Sequence, residues 1–241
     1  MPVNHFFLDQ KSILNNEVII KDREKIHQMR KVLRFKINDE IVVLDNSGYQ
    51  YFVKLKEIKK DEIKGEIFKK EKNKNELEYK ITLCQALLKH DKFEQVLKFG
   101  TSLGISQFFP LLTERAISRN VSFNKISRWQ KIIKESAEQS GRGILPILRE
   151  LKTFEEMIDF LKEKDVLKII AWEEEKKIKI SSLRKKIKKD QEIYFFVGPE
   201  GGFSLKEIEL AKKNGFITVS LGSLILRAEI AGVVGIAILI N

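Results

Sequence analysis

Cysteine is almost absent from this chain: Cys84 stands alone. A single thiol excludes an internal disulfide and leaves no thiolate cluster for zinc. Its place after Ile81-Thr82-Leu83 points to a buried strand. Long apolar runs are missing too. The longest candidate, residues 228–240, is broken by Glu229 and falls short of the roughly 18–20 residues that a membrane span needs. The opening residues Met1, Pro2, Val3, Asn4 and His5 lack the basic-then-apolar pattern of a secretory signal. These absences predict a cytoplasmic protein. Arginine is also scarce, at ten of the 45 basic residues. Lysine is spread along the whole chain and follows general composition, so the arginines are the better markers of a polyanion-binding surface.

What is present fits one large globular domain or two smaller ones: 241 residues, 43% hydrophobic and 33% charged, with a net charge of +11. That excess favours a nucleic-acid partner. It concentrates in two places. Residues 21–36 carry seven basic side chains, among them Arg23, Arg30, Lys31 and Arg34, against Asp22 and Glu24. Residues 115–142 carry seven more, including Arg115, Arg119, Arg128 and Arg142, against Glu135 and Glu138. Both read as phosphate-contacting surfaces; the plainer alternative is a solvated helix face. Residues 176–189 are more basic still, but they are mostly lysine and predict a solvated amphipathic helix.

The chain is organised around Gly198-Pro199-Glu200-Gly201-Gly202-Phe203-Ser204. Ile193 to Val197 before it read as a buried strand. Ser204-Leu205-Lys206-Glu207 after it is a capping box that opens a helix, closed by Lys212, Lys213 and Gly215. Glycines at the carboxyl end of a strand, where open α/β sheets place their ligands, let a ligand approach the backbone. A bare turn is the alternative. The loop is not a common phosphate cradle: GxGxxG would need glycine at Glu200, and the Gly-Lys-Ser/Thr ending of a P-loop is absent. A second loop, Ser220-Leu221-Gly222-Ser223-Leu224-Ile225-Leu226-Arg227, follows the next strand. Two such loops would line a flat pocket suited to a planar base. Arg227 opens a helix, where the macrodipole disfavours a cation, and this hints at a role beyond stability.

Residues 1–72 predict short strands, a hairpin turning at Asp45 to Gly48, and one helix capped by Asp22 with an apolar stripe of Ile26, Met29, Val32 and Leu33; together these suggest a small barrel. Polar residues 71–76 mark a linker. From 77 to 241 strands alternate with helices, which argues for a parallel α/β sheet.

The glycine loop, followed by Leu221-Gly222 and Ile225-Leu226-Arg227-Ala228-Glu229, resembles the RsmE family of SPOUT methyltransferases. The resemblance runs the full length: His27 with Val32-Leu33-Arg34, Lys92-Phe93 with Leu103-Gly104, and Ala137-Glu138-Gln139-Ser140 with Arg142 and Pro146 match further family signatures. It implies an N-terminal PUA-like β-barrel over 1–72 and a SPOUT α/β domain over 77–241 with a deep trefoil knot. It further implies S-adenosylmethionine as cofactor, no metal, a homodimer, and methylation of N3 of a uridine in 16S ribosomal RNA of the small subunit. Carried over, the cofactor pocket takes Trp172, Val197, Gly198, Pro199, Glu200, Gly201, Gly202, Ser220, Leu221, Gly222, Ile225 and Leu226. Arg227 would stabilise the uracil anion or orient the base, with Glu200 or Glu229 accepting the proton. Structural roles are the alternatives, namely a loop-holding Glu200 and an Arg227–Glu229 ion pair. Three positions depart from the family pattern: Ser102 for Glu, Leu224 for Arg and Ile230 for Thr. Two further readings stay open, a ribose 2′-O-methyltransferase of the same fold and a non-catalytic RNA-binding assembly factor.

Overall fold

A computed structural model describes residues 4–240, apart from the side chain at position 186. The first three residues of the expected N-terminal domain and the last residue of the C-terminal one lie outside the described residues. The chain divides into two compact units, one of Met1–Glu76 with Ala137–Leu145, the other of Leu77–Ser136 with Pro146–Asn241.

In the first unit, β1 (His5–Phe7), β2 (Ile13–Leu14), β3 (Glu17–Ile20), β4 (Glu40–Leu44), β5 (Tyr49–Ile58) and β6 (Ile63–Lys72) form one sheet in the order β1-β4-β5-β6-β3-β2. Only the β1–β4 pair is parallel. Alternation along β5 sends Tyr51, Val53 and Leu55 inward, where they meet Phe6, Ile41 and Met29. β6 runs on through Glu71 and Lys72, so the expected linker is strand in its first two residues. Asn73 is buried, donating to Gln50 Oε1 and Gly141 O, each at 3.0 Å. The helix capped by Asp22, α1 (Arg23–His27), gives way to a π-helical turn over Gln28–Val32. The extra residue in that turn rotates the chain, so Ile26 and Met29 are buried while Val32 is 65% and Leu33 37% exposed. The apolar stripe therefore stops at Met29.

Segment 137–145 completes this unit. Ala137 and Leu145 pack with Phe7, Val42 and Leu44. Glu138 accepts from the Phe7 N–H at 2.8 Å and from Lys25 Nζ at 3.0 Å. Arg142 is held by Glu76 at 2.6 Å.

The second unit is a parallel sheet in the order β10-β8-β7-β12-β11-β13, with β9 added beside β8. Its strands are β7 (Lys80–Ala86), β8 (Gln107–Leu112), β9 (Ile147–Leu148), β10 (Lys152–Thr153), β11 (Leu167–Ala171), β12 (Glu192–Val197) and β13 (Ile217–Val219). Its helices are α2 (Lys92–Ser102), α3 (Phe123–Ser140), whose end belongs to the first unit, α4 (Phe154–Leu161), α5 (Leu205–Lys213) and α6 (Ala228–Ile240). The sheet is covered on both sides, so its central strands read as continuous apolar runs. Ile169, Phe195 and Leu83 point to a core shared with α2 and α6, and Ile170, Phe196 and Cys84 to one shared with α4 and α5. Residues 176–189 hold no long helix. Lys179 bridges to Ser220 as a strand, and a 3₁₀ turn over Ile180–Lys186 buries Ile180 and Leu183. The apolar pair at 180 and 183 is what makes this segment a packed connection. Among the described residues, no helix is long and apolar enough to cross a membrane, and no group of three or more His, Cys, Asp or Glu could hold a metal.

Candidate cofactor site

β12 carries its load of aromatics into the sheet centre and ends at Val197, where the chain must turn sharply into α5. The Gly202 N–H closes that turn onto Pro199 O at 2.9 Å, with Gly202 at φ 65°. A side chain at Gly202 would lie 2.7 Å from Glu173 Oε1, and one at Gly198 would lie 3.1 Å from the backbone of Gly202 and Phe203. Glycine at both positions is therefore what lets this tight loop close upon itself and against Glu173. Phe203, buried against Phe154, anchors the far side of the loop. Ser204 then caps α5: its hydroxyl accepts from the Glu207 N–H at 3.3 Å, and the Glu207 carboxylate accepts from the Ser204 N–H at 2.8 Å.

Neighbouring elements brace the loop from outside. Gln85 Nε2 donates to Gly198 O at 3.3 Å, and Arg115 Nη1 donates to Gly201 O at 2.8 Å. Glu207 also accepts from the Glu114 N–H at 2.9 Å.

The second loop follows β13. Ser220 exchanges backbone bonds with residues 178 and 180, and its hydroxyl donates to Gly222 O at 3.0 Å. Residues 222–225 then project outward, with Leu224 81% and Ile225 91% exposed.

Between the two loops lies a cavity of about 580 Å3, at the carboxyl ends of β11, β12 and β13. Every residue predicted for the cofactor pocket borders it: Trp172, the stretch 197–202, Ser220, Leu221, Gly222, Ile225 and Leu226. Arg227 and Glu229 border it too. Of the three departures from the family pattern, Leu224 is on the wall and Ile230 is a half-exposed neighbour on α6. Ser102, on exposed α2 surface, only bonds back to Lys98 O.

The charges are arranged unevenly. Glu229 is buried, with Oε2 3.6 Å from Lys92 Nζ and no hydrogen-bond partner of its own. Glu200 accepts from the Lys89 N–H at 3.2 Å and from Lys92 Nζ at 3.4 Å. Burial pushes the Glu200 carboxyl upward, but its own N–H, that of Lys89 and the Lys92 ammonium outweigh burial and hold it below the usual 4.5. Arg227 is exposed and makes no ion pair among the described residues, so the alternative of an Arg227–Glu229 ion pair does not form. Lys89 and Lys92 were not expected at this site. They come from a loop distant in sequence, and the signal that marks them is the match at Lys92-Phe93.

The predicted RNA-contacting arginines fall into different environments. Arg23, Lys31, Arg34 and Arg119 are exposed, and Arg30 is half-buried. Arg115 spends one donor on Gly201, and Arg128 pairs with Glu94 at 2.7 Å. Arg142 is only 3% exposed and locked to Glu76. A cation buried in an ion pair is not offered to a phosphate, so Arg142 leaves the set.

A doubly covered parallel sheet with a glycine-lined cavity at its strand ends, carried on a chain with a separate β-rich unit, defines a two-domain cofactor-binding α/β protein. Residues 75–240 match the RNA methyltransferase domain family, and residues 20–68 match the RNA methyltransferase PUA domain family. A ribosomal RNA small subunit methyltransferase E from Synechocystis is 34% identical over 88% of this chain and 69% of its own length. One from Rickettsia conorii is 31% identical over 98% of this chain and 95% of its own. The solved ribosomal RNA small subunit methyltransferase E from Neisseria gonorrhoeae, bound to S-adenosyl methionine, superposes with a TM-score of 0.85 at 29% identity, covering 98% of this chain and 95% of that one. The chain belongs to the ribosomal RNA small subunit methyltransferase E family.

Proposed function

We propose that this protein is an S-adenosylmethionine-dependent methyltransferase acting on N3 of a uridine in 16S ribosomal RNA, in the cytoplasm. The observation that carries the reading is the cavity at the ends of β11, β12 and β13, walled by the two glycine-bearing loops, with Arg227, which has no ion pair among the described residues, at its edge. A cavity lined by the backbone of the loop 197–202 fits a cofactor held by backbone groups, and the named relatives support its identity. When bound, S-adenosylmethionine supplies an already activated methyl group. Trp172, residues 197–202 and residues 220–226 would hold it.

The protein's own part is orientation and charge. A uracil N3 becomes nucleophilic only when its proton leaves. Glu229, buried and with one oxygen free of hydrogen bonds, is the better placed acceptor. Glu200 is already committed to Lys89 and Lys92, which suits it to hold the loop. Arg227, with its guanidinium unpaired, stabilises the negative charge that develops on the ring. Exposed arginines at 23, 34 and 119 contact phosphates and set register, while the cavity selects the base. Since a base inside a helix cannot reach such a cavity, the uridine must be splayed out.

Two further features belong to this reading. β13 follows β12 in the chain yet lies beyond β11, and α6 then returns to pack on α2 and β12. That recrossing supports the trefoil knot. α6 is apolar around its whole circumference apart from Glu229, yet Ile230 is 44% exposed and residues 233, 234, 237 and 238 are half-exposed. Helices of this kind are normally covered, which supports a homodimer built on α6. The deciding experiment incubates the protein with labelled cofactor and small ribosomal subunits or free 16S RNA, then maps the modified nucleoside by mass spectrometry. 3-Methyluridine is expected; a 2′-O-methyl product, or no product with cofactor bound, overturns the reading.

A further inference from the structure

The loop between β7 and α2 brings a cation into the cavity. His90 sits at φ 53°, a left-handed conformation uncommon outside glycine, in the turn whose Lys89 N–H reaches Glu200. Lys92 opens α2, and its Nζ lies 3.4 Å from Glu200 Oε1 and 3.6 Å from Glu229 Oε2. One ammonium thus stands between a carboxylate of the glycine loop and a carboxylate of the first turn of α6. The Glu229 side chain is 7% exposed and that of Lys92 33%, so Lys92 is the link from the buried anion towards solvent.

We propose that Lys92 is a positioning residue of this site, the counter-charge that holds the Glu200 and Glu229 carboxylates in place and so joins the glycine loop to α6. Burial and like-charge repulsion both favour protonation of a carboxylate, and an ammonium between the two opposes both. The other charged groups facing the trio are Glu173, Lys176 and Arg227 on the cavity wall. On α2 itself, Asp91 and Glu94 lie 3.9 and 2.7 Å from Arg128, so they have their own cation. The use made of an ionised Glu229 rests on the methyl-transfer reading; the ionic arrangement does not.

The test therefore has two readouts. Carboxyl carbons of Glu200 and Glu229 are titrated by NMR in the cofactor-free wild type and in the variants Lys92→Met, Lys92→Gln and Lys92→Arg, with thermal melting as the check that each is folded. The pH profile of methyl transfer is recorded in parallel. In Lys92→Met and Lys92→Gln, at least one carboxyl should titrate higher by about one pH unit or more. The acid limb of kcat should move with it, lowering turnover about tenfold at its foot. Lys92→Arg, which keeps the charge, should stay near wild type in both. Unmoved carboxyl titrations in a folded neutral variant overturn the proposal, as does Lys92→Arg behaving like Lys92→Met. A wild type without methyl-transfer activity would sink the functional reading alone, since the NMR titrations still decide Lys92.

Discussion

At the scale of single residues, the site depends on a few side chains with no spare partners. Arg227 makes no ion pair among the described residues, so Arg227→Ala should leave melting and cofactor affinity near wild type while lowering kcat by about 10²–10³-fold, the usual range for a lost charge-stabilising donor. Unchanged turnover would remove it from the mechanism. Gly202 combines φ 65° with a Cβ position 2.7 Å from Glu173. Gly202→Ala should therefore cost roughly 1–3 kcal/mol, read in urea melts, and should weaken cofactor binding measured by calorimetry. Arg142 is the opposite case. In the sequence it is one more cation in a basic run, and nothing local marks it as buried. Its partner Glu76 sits 66 positions away, so only the folded chain reveals the pair. Arg142→Ala should cost about 1.5–3 kcal/mol, the range for a hydrogen bond to a charged group, because Glu76 is partly exposed and keeps the Gly143 and Ile144 N–H donors. Whatever protein remains folded should bind RNA with an unchanged salt dependence.

Elements were legible where local chemistry decides them. The strand, glycine turn and capped helix around 192–213 could be read from Val197, Gly202, Ser204 and Glu207 because every determinant lies within a few residues. Ser204→Ala should cost about 1 kcal/mol, because the Glu207 N–H loses the hydroxyl that accepts it, while the Ser204 N–H bond to the Glu207 carboxylate is a backbone bond and stays. Elements set by distant partners were not legible. β9 and β10 are two residues each and exist only because β8 offers an edge. The π-helical turn after His27 defeats a stripe drawn at regular helical spacing. Likewise, residues 176–189 look like a helix in composition, yet Ile180 and Leu183 are drawn into the core beside α6. The cavity's glycine walls could be read in advance; Lys92 was marked only by its Lys92-Phe93 match, and its place in the cavity was not legible because the strand order that brings β7 beside β12 is a property of the sheet.

For the whole molecule, acid should act on the first unit before it reaches the site. Burial holds His5 below its ordinary 6.5, partly opposed by Glu138. A depressed histidine contributes stability above the unfolded value and loses it as the pH falls through the folded one. Melting should therefore weaken below about pH 6.5, and His5→Gln should flatten that decline. Glu200, held under 4.5, keeps its contribution until the pH falls through its lower value. If the exposed basic residues at 23, 31, 34 and 119 contact phosphates as proposed, RNA affinity should fall steeply with added salt. The division of the chain also imposes a timetable on synthesis. Ala137–Leu145 belongs to the unit that otherwise ends at Glu76, supplying Glu138 to the Phe7 N–H and Lys25, and Arg142 to Glu76. A nascent chain that has just released β6 from the ribosome must wait several seconds, at about 5–20 residues per second, for its last core segment. The N-terminal unit therefore receives this segment only after residues 77–136 of the other unit have been made.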